Sequence, residues 1–128
     1  MMSVFIGRFH PVFVHLPIGI LLFAALLFVA SKKQKFEAIS TAVAPALGVG
    51  ALFSILSCIT GYLLSISDAY NESIVFKHQW LGIATAITSI VCYIAHQKKF
   101  KYVGLLIILL TALIIITGHN GGNLTPVS

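Results

Sequence analysis

Negative charge is almost missing from this sequence. Three carboxylates, Glu37, Asp68 and Glu72, occur among 128 residues, and charged residues of both signs make up only 9%. A water-soluble domain carries about a quarter charged residues, so the soluble globular class is excluded. A mean hydropathy of +1.03 and a hydrophobic content of 59% place the chain in a membrane. Its length suits one compact domain. The apolar stretches hold no Asp, Glu, Lys or Arg at all. That absence removes a carboxylate-bridged di-iron centre, which needs carboxylates inside the bundle. It also removes the usual ion-coupled carrier, which places a carboxylate within the membrane.

Cysteine is scarce too. Cys58 and Cys92 fall in apolar stretches, without a C-x-x-C-H for covalent haem and without paired spacing for zinc. They read as small buried residues. No Ser-His-Asp or Cys-His arrangement with a third orienting group is present. The net charge of +5 comes mainly from two runs, Lys32-Lys33-Gln34-Lys35 and Lys98-Lys99-Phe100-Lys101. Neither has the pattern of a base-reading surface, so no nucleic-acid partner is expected. In a membrane protein such runs report topology.

What is present is four long apolar segments, residues 11–30, 41–67, 78–95 and 102–118. Each is near or above the ~17 residues that a helix needs to cross the ~30 Å hydrocarbon core. The connections at 31–40 and 96–101 are short and polar, which suits antiparallel neighbours. The predicted fold is therefore an all-α membrane protein, a four-transmembrane-helix antiparallel up-down bundle forming a single domain over 1–128. Charge follows the first apolar run, the reverse of a secretory signal, so that segment is expected to be retained. Both lysine runs are expected in the cytoplasm. The termini, with Ser3 and Ser128, then lie outside, on the periplasmic face of a bacterial inner membrane. That face also carries Arg8, Asp68, Glu72 and Lys77, whose charges nearly cancel.

Small residues recur every three or four positions: Gly48, Ala51, Ser54, Cys58, Gly61 and Ser65 in the second segment, and His78, Gly82, Thr85, Ser89, Cys92 and His96 in the third. Gly104, Thr111 and Gly118 are spaced seven apart in the fourth. In lipid such stripes let helix backbones approach and hydrogen-bond across.

Histidine is the residue type that calls for an explanation. His10 and His15 lie at the start of the first segment, His78 at the start of the third and His119 at the end of the fourth. In an up-down bundle all four share one face, and only His96 is left among the lysines, where it reads as interfacial. His15 precedes Pro17, which removes a helical hydrogen bond and loosens that turn, and Gly19 lies one turn deeper. His78 with Gly82 repeats this arrangement. His119 stands among Gly118, Gly121 and Gly122, which also read as a helix C-cap. His10, just outside the first helix, reads as a supporting group or a ligand of a second site.

With carboxylates and paired cysteines absent, the remaining chemistry is that of neutral imidazoles: axial ligation of haem iron, or binding of copper or zinc. A porphyrin between helices needs axial imidazoles, small flanking residues and apolar walls, and this chain supplies all three. The preferred axial pair is His15 and His78. His119 and His10 stand as alternatives or as ligands of a second haem, and Arg8 and Lys77 as cations for the propionates.

The motifs His10-Pro11-x-x-x-His15-x-Pro17-Ile18-Gly19, His78-x-Trp80-x-Gly82 and Gly118-His119-x-Gly121-Gly122-x-Leu124 resemble a bacterial family of four-helix membrane domains of unknown function. The resemblance spans residues 9–124. Relatives occur joined to, or encoded beside, Rieske and c-type cytochrome modules, so the resemblance implies a redox setting with such partners. Members often continue to a further His-Gly where this sequence reads Thr125-Pro126-Val127-Ser128; if that histidine is a ligand in them, this protein has lost one site or is organised differently. The expected function is a haem b-binding electron-transfer protein, or the membrane subunit of a larger homo- or hetero-oligomeric redox complex. An electron carrier of this kind need not be an enzyme. The rivals are a copper- or zinc-handling membrane protein using the same histidines, and a cofactor-free interaction subunit whose histidines only hydrogen-bond between helices.

Overall fold

The computed structural model describes residues 2–67 and 70–124; Asp68 and residues 125–128 lie outside the described residues. The chain runs as a short helix α1 (Met2–Gly7) and then α2 (His10–Ser31). A 3-10 turn at Gln34–Ile39 leads into α3 (Ser40–Ser67), followed by α4 (Glu72–Gln97) and α5 (Val103–Gly122). Among the described residues there is no strand beyond an isolated bridge position at Tyr70. Helices α2 to α5 are each long and apolar enough to cross a membrane. The shortest, α5, has 20 residues, which at 1.5 Å per residue is about 30 Å.

Successive helices pack against each other around the bundle, and a thinner seam between α2 and α5 closes the ring. The starts of α2 and α4 meet the ends of α3 and α5. Outward-facing side chains are large and apolar, among them Phe23, Leu26, Leu52, Ile87, Leu105 and Ile108. The small-residue stripes face inward, with Ala51, Ser54, Thr85, Ser89 and Cys92 all buried.

Three boundaries differ from expectation. The third segment begins more than a turn before His78, because Asn71 caps α4 by accepting a hydrogen bond from the Ser73 N–H at 3.1 Å, and Glu72 places a carboxylate in the first turn. Secondly, α5 continues through Gly118, His119 and Gly121 to Gly122. No described glycine has a positive φ, so the expected glycine C-cap does not form there. Thirdly, α1 was not expected from the sequence. It lies against α3 so closely that a Cβ on Gly7 would come within 2.9 Å of the Leu64 backbone nitrogen.

The turn from α4 to α5 closes on a lysine. Lys99 has φ 53, with Lys99 N–H donating to the His96 carbonyl and Phe100 N–H to that of Ala95. This is the left-handed helix ending that glycine normally supplies.

The packed core lies toward the lysine-rich connections: Leu21, Ala24 and Phe28 from α2, Val43 and Leu47 from α3, Cys92 and Ala95 from α4, and Val103, Ile107, Leu110 and Ile114 from α5. The other end, where the histidines gather, is built differently.

Candidate functional site

Pro17 sets the local structure at that end. A proline cannot donate to the carbonyl four residues earlier, which leaves the Phe13 carbonyl without its helical partner. Ser57 of α3 supplies one: its Oγ lies 2.7 Å from the Phe13 oxygen and 2.8 Å from that of Phe53. In a membrane helix a freed carbonyl has to be met by a neighbour in this way. The bond ties α2 to α3 at one register, and Pro17 itself is buried.

That register brings His10 onto α3. Its Nδ1 lies 3.1 Å from the Thr60 Oγ1, and its Cε1 rests against Gly61, where an added Cβ would stand only 2.9 Å away. His78 of α4 does the same with α5. Its Cε1 would stand 2.8 Å from a Cβ on Gly121. The two imidazoles then meet each other, with ring centroids 6.3 Å apart and planes at 81°. Thus α2 and α4 contribute the rings, and α3 and α5 contribute the glycines that let them in. His78 Nδ1 is buried and makes no well-formed hydrogen bond among the described residues, with the Thr117 backbone nearby.

Further polar contacts surround the pair. Gln79 donates to the Ser65 Oγ at 2.9 Å. Thr85 and Thr117 hydroxyls lie 3.0 Å apart between α4 and α5. Near them a Cβ on Gly82 or Gly118 would meet only ordinary van der Waals contacts, while Gly19 and Gly122 face outward.

The expected site residues fall into two groups. The structure brings His10 and His78 together, with Gly82 beside them on α4. His15 does not join His78: it is exposed, and its Nδ1–H donates to the Pro11 carbonyl of its own helix. Gly19 is exposed as well, so the expected glycine beside His15 opens no interior space. His119, Arg8 and Lys77 are exposed. Lys77 lines a shallow depression with Phe76, Trp80 and Leu81, and His15 lines another with Pro11, Val12 and Leu16. His96, at the opposite end, is half-buried with its ring 6.2 Å from that of Phe28.

Gly61, Gly121 and Thr60 are site residues that the sequence does not single out. Gly61 is visible there only as one member of a packing stripe, and Gly121 only as part of a cap. Among the described residues no three of His, Cys, Asp and Glu come together as a metal-binding group. The donor set is therefore two imidazoles. Comparison of the chain with protein-family models, curated proteins and solved structures found no match.

Proposed function

We propose that the protein is a membrane-embedded, haem b-binding electron-transfer protein, or the membrane subunit of a redox complex, and that His10 and His78 are its axial pair. Helices α2 to α5 cross the bilayer as an antiparallel bundle. The lysine-rich connections lie on the cytoplasmic side and the histidine end on the outer side.

The observation that carries this reading is the meeting of the two imidazoles from separate helices inside glycine cradles. His10 and His78, with ring centroids 6.3 Å apart, would hold the haem iron from two different helices. The donor count favours haem over zinc. Zinc takes three or four protein ligands, whereas a porphyrin brings four of its own and asks the protein for two. The absence of close contacts at Gly82 and Gly118, and the thin seam between α2 and α5, suit the entry of a flat group.

Haem, when bound, supplies one-electron chemistry at its iron. The chain's own residues decide how that chemistry is used. Held by both His10 and His78, the haem iron would be left without an open position, which would favour electron transfer over oxygen binding. Arg8 and Lys77 stand exposed at the same end as cations for the propionates. A Rieske or c-type cytochrome partner rests on the motif resemblance alone.

A second reading is favoured by one observation: the rings already touch edge to face and His10 already has a hydrogen-bond partner, as in a purely structural interhelical contact. The absorption spectrum of protein purified after haem-replete expression separates the two. A Soret band with low-spin features is expected in the wild type, absent or high-spin in His10→Ala and His78→Ala, and unchanged in His15→Ala and His96→Ala. A wild-type protein without any Soret band sinks the haem reading, and metal analysis then decides between copper or zinc handling and a cofactor-free subunit.

A further inference from the structure

The hydroxyl of Thr60 has one proton and two neighbours that want it. Its Oγ1 lies 3.1 Å from the Ser57 carbonyl oxygen and 3.1 Å from His10 Nδ1. Suppose that the proton went to His10. Two oxygens, Thr60 Oγ1 and the Ser57 carbonyl, would then face each other at hydrogen-bond distance with no proton between them. If the proton goes to the Ser57 carbonyl instead, the Thr60 oxygen has lone pairs to offer, and His10 must carry its own proton on Nδ1. The second assignment gives each contact a proton of its own. Threonine in a helix commonly donates back to a carbonyl of the preceding turn, which is the same direction.

We infer that Thr60 holds His10 in the Nδ1–H tautomer, leaving Nε2 as the bare, ligating nitrogen, and is thereby the positioning residue of the paired-histidine site. The tautomer assignment is independent of any cofactor; its use in ligation rests on the haem reading above. The neighbouring bonds support the arrangement. Ser57, whose carbonyl takes the Thr60 proton, is the residue that Pro17 ties to α2 through the Phe13 carbonyl. Pro17, Ser57, Thr60 and His10 thus form one connected unit, in which the proline fixes the register, the serine anchors the threonine and the threonine orients the imidazole. Partners of this kind set the tautomer and ring orientation of a ligating histidine, and their loss typically costs 10–100-fold in metal affinity.

Long-range 1H–15N spectra of the full chain labelled with 15N-histidine in detergent micelles report which ring nitrogen is protonated. The His10 signals are assigned by their loss in His10→Gln. Wild-type protein is expected to show His10 protonated at Nδ1, Thr60→Val to lose that preference and Thr60→Ser to keep it. In the same preparations, haem titration should show a 10–100-fold weaker affinity for Thr60→Val and near wild-type affinity for Thr60→Ser. An Nε2–H tautomer in the wild type, or a tautomer that Thr60→Val leaves unchanged, overturns the inference. The expected tautomers in a protein that takes up no haem would uphold the role of Thr60 and discard the haem reading. Unchanged haem affinity in Thr60→Val, with His10→Ala unable to bind, would discard the positioning role and uphold haem.

Discussion

The two ends of this bundle are held together by different forces. Toward the lysine-rich connections the interior is almost entirely hydrocarbon, with Leu21, Phe28, Leu47, Ile107 and Leu110 buried in one cluster. At the histidine end the helices are joined by hydrogen bonds: His10 with Thr60, Ser57 with Phe13, Gln79 with Ser65 and Thr85 with Thr117. In the proposed bilayer setting lipid is as apolar as leucine, so burial in itself would drive neither end. Close packing holds the first, and satisfied polar groups hold the second. A polar site with room around it is tolerable only where packing is not what keeps the helices together.

The largest expected effect tests the packed end. Leu47 is fully buried, and Leu47→Ala should cost about 2–5 kcal/mol, the range for leucine truncations that leave a cavity. The check is unfolding in mixed detergent micelles. Any haem spectrum should persist wherever the variant is still folded. Loss of the spectrum at unchanged stability would mean that the two ends are coupled and that the contrast between them is wrong.

A smaller effect is expected from glycine substitution, and here the ends should part. Gly121→Ala would set a methyl 2.8 Å from His78 Cε1. Overpacking of this kind costs about 1–3 kcal/mol, with the imidazole displaced and haem affinity lowered. At the other end, a Cβ on Gly104 would meet only the Phe28 ring at 3.7 Å. Gly104→Ala should therefore be neutral or stabilise by about 0.4–1 kcal/mol through the unfolded chain. Equal losses in thermal unfolding for both variants would erase the distinction.

The smallest effect belongs to a single hydrogen bond. Ser57→Ala removes the hydroxyl that meets the Phe13 carbonyl. Interhelical hydrogen bonds in membranes average about 0.6 kcal/mol and reach about 1.7. A loss in that range, together with a weaker preference of His10 for its Nδ1–H tautomer, is the expected pair of results from unfolding and 15N spectra. A stability loss of several kcal/mol would mean that one bond, and not the polar end as a whole, holds the helices together there.

The legible parts of this molecule are the local ones. Four runs long enough to span a membrane, their short connections, the inward stripes of small residues and the gathering of four histidines toward one end can all be read directly. Helix ends are less legible. Asn71 and Glu72 carry a helix-start signal in plain view, yet the polar break Lys77-His78-Gln79 after Ile74-Val75-Phe76 draws the start of the span too late. The glycines near His119 match a cap by composition, but Gly121 is where the His78 ring lies against α5, and the backbone stays helical through it.

Which histidines meet is not a local property. His10 and His15 are five residues apart on one helix, which at about 100° per residue places them about 140° apart around its axis. At most one of them can face His78. In a water-soluble helix the hydrophobic stripe would point to the inward one. In this bundle both faces of α2 are apolar, the exposed one as well as the one packed on helices, and the pattern carries no direction. The proline points to His15 by proximity, while its physical effect is to free the Phe13 carbonyl for Ser57 and so to turn His10 toward Thr60 and Gly61. Position along the bundle axis follows from chain order and hydropathy, and the sequence alone determined it. Angle around a helix axis is settled only when a neighbouring helix satisfies a particular carbonyl and leaves space at a particular glycine, and that the tertiary structure decided.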